Sequence, residues 1–229
     1  MTRVSQIVDC QDPDARAEGI SAAHEAVQRG ECLVIPTDTV YGIGVDAFSA
    51  HAVTVLLAAK GRNRTMPPPV LIGRQAVMDA LAAEVPESAR SLAEAFWPGA
   101  LTLILEAQPS LAWDLGETRG TVALRMPADD LALDLLNQTG PMAVSSANRT
   151  GQPPANGVAQ AVEMFGDAVS LYLDDGERST VEPSTIVDCT ITPAALVRDG
   201  AITLAELRAV VPEVRGLHED HDDDVDSAG

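Results

Sequence analysis

The chain has 229 residues, 46% of them hydrophobic and 3% aromatic, and 34 acids against 15 bases give a formal net charge of −19. That composition suits one globular domain with an aliphatic core and excludes a surface made to hold nucleic-acid backbones. No apolar run approaches the roughly 20 residues a bilayer-crossing helix needs.

Residues 1–13 read as an N-terminal lead-in without the apolar stretch of a signal peptide. A helical stripe at Ile20, Ala23 and Val27 predicts a helix over 14–29, closed by Gly30. ECLVIP (31–36) reads as a buried strand running into a turn-rich TDTVYGIG. Ser49 is placed to cap a helix through Lys60, with Val53, Leu56 and Leu57 inward and Gly61 as its stop. Lys60 stands seven residues after Val53 and continues that inward stripe. A strand at 69–73 follows, then helices near 74–84 and 86–96, the second opened by Pro86.

LTLILEA (101–107) and TVALRMP (121–127) read as strands. A helix near 129–138 leads to strand MAVSS, a polar loop, and a helix over 157–165. Strands near 169–173, 184–190 and 194–198 come next, and Thr203 caps a last short helix. Helix and strand alternate early, while the late strands follow one another closely. The pattern predicts an α/β fold in a single domain over 14–212, an open twisted mixed β-sheet flanked by helices. Residues 213–229 read as an acidic, disordered tail. Its acids do not account for the charge: residues 217–229 hold six of them, leaving 28 acids against 15 bases.

Familiar catalytic signatures are missing from the sequence. There is no Gly-x4-Gly-Lys-Ser/Thr phosphate loop, and YGIG lacks the third glycine of a dinucleotide fingerprint. Neither a zinc spacing nor a GxSxG elbow is present. Cys10, Cys32 and Cys189 read as reduced thiols of a cytoplasmic protein.

What stands out is where the charge is not. From Ala47 to Met78 there is no acid, yet Lys60 (the only lysine), Arg62, Arg64 and Arg74 all fall there. A second acid-free stretch, Leu135 to Val162, holds SSANRTG. Cations and hydroxyls also gather at element ends: Thr37, Thr39, Arg125, Ser145, Ser146, Asn148, Ser184 and Arg198. Guanidinium forks match carboxylates and phosphates, and open α/β sheets place ligands at strand ends. An anion-holding site is the expectation.

Seven blocks in order carry a resemblance: PTDTVYGIG (36–44), KGRNRTMPPPVLI (60–72), FWPGALTLIL (96–105), VALRMP (122–127), SSANRTGQPP (145–154), STIVD (184–188) and VRDG (197–200). Together they make the chain similar to the YrdC-like threonylcarbamoyl-AMP synthases, in their short single-domain form. The resemblance implies a nucleotidyltransferase that makes threonylcarbamoyl-AMP and pyrophosphate from L-threonine, bicarbonate and ATP. The product would serve partner transferase proteins that modify tRNA to threonylcarbamoyladenosine. Mg2+ would come with ATP, with no metal ligated by the protein. Direct tRNA binding and membrane contact are not expected.

By the same resemblance, Lys60 and Arg62 match the catalytic basic pair on the phosphates. Met66, Thr121, Ser146, Asn148, Pro154 and Arg198 match other ATP-binding positions. Thr39, Arg125, Val144 and Ser184 match the surroundings of L-threonine, with Arg125 on its carboxylate. The chain departs from the family pattern at Asn63, where proline is usual, and at Leu71, where some members carry a histidine. It also departs at Ser145, often proline, and at Glu182-Pro183. Rival readings are an RNA-binding module of the same fold without adenylate synthesis and a carbamoyltransferase of the hydrogenase-maturation type. The acidity opposes the first, and the missing accessory segments oppose the second.

Overall fold

The computed structural model describes residues 5–179 and 182–219. Within them the chain runs β1 (Gln6–Asp9), α1 (Pro13–Gln28), β2 (Leu33–Ile35), β3 (Gly42–Asp46), α2 (Ala50–Lys60), β4 (Val70–Leu71), α3 (Met78–Leu81), α4 (Glu87–Phe96), β5 (Leu101–Glu106), β6 (Thr121–Arg125), α5 (Asp130–Thr139), β7 (Met142–Ser146), α6 (Val158–Phe165), β8 (Leu171–Asp174), β9 (Thr185–Asp188), β10 (Ala195–Arg198) and α7 (Leu204–Val210). The strands form one open sheet in the order β1-β8-β2-β3-β7-β4-β6-β5-β9-β10. Pairing is parallel at β1–β8, β2–β8, β4–β6 and β5–β9 and antiparallel elsewhere, so the sheet is mixed as the element order suggested.

The helix ends obey local chemistry. Asp12, Ser49 and Asp129 accept from backbone N–H groups of the first turns of α1, α2 and α5, and Thr203 with Glu206 forms a reciprocal capping box on α7. Gly61 ends α2 at φ 63°, a left-handed conformation that glycine adopts without strain.

Strand alternation sorts the apolar side chains onto two faces. Val34, Ile43, Val45, Val70, Leu103, Leu124, Ala143 and Val187 face one core, sealed by α2, α3, α4, α6 and α7. Leu33, Ile35, Leu71, Met142, Val144 and Leu173 face the other, covered by α1 and α5. That second cluster takes no residue from β5, β6, β9 or β10. Half of one sheet face is therefore bare of helix, and it is this half that holds the site.

Three expectations change. The segment GIGVD is a strand, not a turn: Gly42 faces Ser146 and Gly44 faces Val144 across the β3–β7 ladder. A helix over 74–84 shrinks to a 3-10 turn at Gln75–Val77 and a single turn at Met78–Leu81, because Ala82 bridges to Ala107. Residues outside 14–212 join the sheet. Gln6–Asp9 pairs with β8, and Arg215 bridges Ala195 beside β10. Of the acidic tail, residues 220–229 lie outside the described residues.

Candidate active site

The bare half-face forms the floor of a cavity of about 510 Å³. Alternate strand residues make most of its floor, Thr102 and Ile104 from β5, Thr121, Ala123 and Arg125 from β6, Ile186 from β9, Val144 and Ser146 from β7, and Val122 and Ser145 also line it. Loops close the sides with Thr37, Thr39, Arg62, Pro67–Pro69, Leu115, Pro154 and Ser184. The volume lies within the usual 300–1,000 Å³ range, roughly, of small-molecule sites.

Three guanidiniums converge there. Arg62 follows the left-handed Gly61, and its backbone N–H returns to Leu57 O at 2.9 Å, closing α2. That turn sends its side chain across to Ser145 Oγ at 3.0 Å. Arg125, at the end of β6, is almost fully buried. Its Nε donates to Gly99 O at 3.0 Å, Nη1 to Thr39 Oγ1 at 3.0 Å and Nη2 to Asp38 Oδ1 at 2.6 Å. Three of the guanidinium's five donors are thus committed, and two remain.

Arg198 reaches the cavity by an irregularity. Leu196 faces Val187 and belongs to the helix-covered core, so in an unbroken ladder Val197 would face Ile186 and Arg198 would point back into that core. Instead Arg198 faces Ile186, because the register slips between Leu196 and Arg198. A bulge of this kind re-aims a side chain. Both Val197 and Arg198 then line the cavity. Arg198 donates to the carbonyl of Ser184 at 2.6 Å and to its hydroxyl at 3.0 Å. Ser184 Oγ in turn meets Thr102 Oγ1 at 2.8 Å.

The guanidiniums sense one another. Burial first, then the charges of Arg125 and Arg62, lower the pKa of Arg198. Burial also lowers that of Arg62. For Arg125, burial lowers it most while Asp38 pulls the other way. Like charges gathered out of water without full compensation make a receptor for anions.

Of the twelve site positions, Thr39, Arg62, Thr121, Arg125, Val144, Ser146, Pro154, Ser184 and Arg198 line the cavity. Lys60, Met66 and Asn148 do not. Met66 is 44% exposed. Lys60 is 3% exposed and lies behind the wall. Its ammonium donates to the carbonyl of Ser146, and to that of Asn148 at 2.7 Å. Burial, then the charge of Arg62, holds it down to about 7. Asn148 Oδ1 accepts from Ser146 Oγ at 2.5 Å and Asn148 Nδ2 donates to Gln152 O at 2.7 Å. Lys60 and Asn148 therefore hold the turn that carries Ser146. The other arginines of the acid-free stretches are occupied elsewhere: Arg64 pairs with Asp114 at 2.6 Å, Arg74 donates to Asn137 at 3.0 Å, and Arg149 donates to Met164 O at 2.8 Å.

Two features escaped the sequence reading. Asp38 partners Arg125, and the available signal was a lone acid inside an otherwise neutral block of hydroxyls. Gly42 and Gly44 flank Val144: a Cβ on either would stand 2.6 or 2.7 Å from a Val144 methyl. Gly200 similarly lets the chain pass Ser184, since a Cβ there would meet Pro183 O and Thr185 N at 2.4 Å.

Comparison with known proteins identifies the family. The Sua5/YciO/YrdC family model, described as "Telomere recombination", matches residues 25–200. A Mycobacterium leprae protein named, provisionally, threonylcarbamoyl-AMP synthase is 49% identical over 215 residues, covering 93% of this chain and 98% of its own. Pyrococcus abyssi Sua5 complexed with L-threonine superposes with a TM-score of 0.82 at 35% identity, over 86% of this chain and 58% of that one. A doubly substituted form of that protein gives 0.87 at 33% identity, over 93% and 62%. The chain thus spans about three fifths of the solved Sua5 chains it matches. With the family model matching most of its length, the chain belongs to the Sua5/YciO/YrdC family.

Proposed function

We propose that this chain is an L-threonylcarbamoyladenylate synthase, joining L-threonine, bicarbonate and ATP into threonylcarbamoyl-AMP with release of pyrophosphate. One observation carries the reading: Arg62, Arg125 and Arg198 meet at one cavity inside a chain of net charge −19. Relatives bearing the synthase name and a Sua5 complex with L-threonine support it.

The threonine amine adds to the carbon of bicarbonate, water leaves, and a carbamate results. A carbamate oxygen then attacks the α-phosphorus of ATP, and the bond to the β-phosphate oxygen breaks, releasing pyrophosphate. The nucleophile comes from the substrate, so protein side chains need only align two anions and offset their repulsion. Arg125, Thr39 and Ser184 are read as holding the amino acid, with Val144 against its side chain. Arg62, Arg198, Thr121 and Ser146 are read as holding the nucleotide, with Pro154 beside it. Lys60 and Asn148 act through the turn carrying Ser146, and Met66 packs outside. Magnesium is read as arriving with ATP, held by phosphate oxygens and water. The cavity wall supplies cations, hydroxyls and apolar groups, and Asp38 is bonded to Arg125.

The product is read as passing to tRNA-modifying transferase proteins in the cytoplasm. Three buried free cysteines fit a reducing compartment, and no helix among the described residues is long and apolar enough to cross a membrane. The RNA-binding alternative is not favoured. Arg16, Arg29, Arg64, Arg90 and Arg208 at the surface are each paired with an acid. The test is incubation of the purified protein with ATP, L-threonine and bicarbonate, followed by mass spectrometry. The adenylate's mass is expected only when all three are present, and its absence would overturn the reading.

A further inference from the structure

The three guanidiniums at the cavity differ in what they hold. Arg62 donates to a hydroxyl, and Arg198 to a carbonyl and a hydroxyl. Arg125 alone of the three lies against a carboxylate. Asp38 sits 2.6 Å away, and the two side chains are 8% and 14% exposed. One further acid, Asp129, lies within reach of Asp38's charge and has its own cation. Asp129 is itself an acid whose pKa is raised chiefly by burial, with Asp38's charge among the causes. Arg178 bonds Asp129 at 2.9 Å and Asp175 at 3.0 Å.

We propose that Asp38 is a positioning and specificity-determining residue: it fixes the plane of Arg125 and offsets its charge. Arg125 is thereby reserved for a net-neutral amino acid, and the triphosphate is left to Arg62 and Arg198. The inference rests on the proposed synthase reading and deepens it by explaining how one cavity sorts two anions. An uncompensated guanidinium in a desolvated pocket attracts most strongly the most highly charged anion present, which here is the triphosphate. A guanidinium paired with a carboxylate offers far less charge at distance than an unpaired one. It keeps its two uncommitted N–H groups, which still match a carboxylate at contact. Nη2 to Asp38, Nη1 to Thr39 and Nε to Gly99 O hold the plane from three sides. Asp38 does not itself line the cavity, so it works through Arg125.

The experiment is steady-state kinetics of the full chain and of Asp38→Asn, which keeps the shape and an acceptor oxygen but removes the charge. The KM for L-threonine should rise at least about tenfold while the KM for ATP stays within about twofold. Inorganic pyrophosphate should compete with ATP alone in the parent and with both ATP and L-threonine in Asp38→Asn. If near-UV circular dichroism shows that Asp38→Asn does not fold, Asp38→Glu decides. It keeps the charge but displaces the plane, so it should raise the threonine KM without new pyrophosphate competition. An unchanged threonine KM, an equal rise in both KM values, or an unchanged inhibition pattern in folded Asp38→Asn overturns the proposal. A parent protein without threonine-dependent turnover would instead overturn the synthase reading.

Discussion

Arg198 faces Ile186 across the ladder, although Leu196, two residues earlier, faces Val187. A regular ladder would have put Arg198 opposite Thr185 and on the wrong side of the sheet. The slip at this edge strand therefore keeps the cation on the cavity side. Deleting Val197 brings Arg198 directly after Leu196 and leaves it opposite Ile186 in a now regular ladder. The deletion should keep kcat/KM within about threefold of the parent, whereas Arg198→Ala should lower it at least about tenfold, with far-UV circular dichroism unchanged in both. A deletion variant as impaired as Arg198→Ala would show that the cavity needs the bulge itself and not only the side of the sheet on which Arg198 stands.

Lys60 does not line the cavity, yet it ties the carbonyls of Ser146 and Asn148 to the end of α2. Its removal takes the ammonium from both carbonyls, leaving that of Ser146 with the Asn148 N–H at 2.9 Å, and frees the turn that presents Ser146. Lys60→Ala should lower kcat/KM at least about tenfold. The loss should be accompanied by faster amide exchange around residues 146–148, because the effect travels through that turn. Unchanged exchange with lost activity would place Lys60 in direct contact with substrate instead.

The same lysine makes a pH prediction. Burial lowers it from 10.5 to about 7 in the folded chain. Below pH 7 both folded and unfolded chains hold the proton, and the cost of burying the ammonium is fully present. Between pH 7 and 10.5 the unfolded chain holds more protons, so Lys60's contribution to stability rises with pH. Measured against Lys60→Met, the wild-type stability should gain up to about 1.4 kcal/mol per pH unit across that window. Urea melts at pH 7, 8 and 9 would read it, and a difference that stays flat would contradict it.

Gly42 and Gly44 leave room for Val144 to reach the cavity. Gly42→Ala would push a methyl to 2.6 Å from Val144 Cγ1 and force that side chain toward the amino-acid end. The substitution should cost about 1–3 kcal/mol of stability and raise the threonine KM. Adding Val144→Ala should recover most of the stability. A double variant no more stable than Gly42→Ala would sink the packing explanation.

How much of this could be read in advance depended on the range of the interaction. Helix ends at Ser49, Gly61 and Thr203 were legible because capping is decided within three or four residues. Strand MAVSS was legible because its apolar run is bounded by Pro141 and a polar loop. GIGVD was not, since two glycines read locally as a turn. Only pairing with β7, about a hundred residues away, makes them a flat strip beneath Val144. Nine of twelve site positions line the cavity because the family blocks mark strand ends and flanking turns. Asp38 and the bulge at Val197 were hidden for a physical reason. An ion pair across 87 residues and a one-residue slip in register leave no periodic trace.

Pyrophosphate release from ATP by the purified chain, followed with and without L-threonine and bicarbonate, tests the central claim most directly. The account predicts release that needs all three substrates and falls at least about tenfold in each of Arg62→Ala, Arg125→Ala and Arg198→Ala. Release that proceeds without L-threonine, or that survives the loss of any of these guanidiniums, would contradict it.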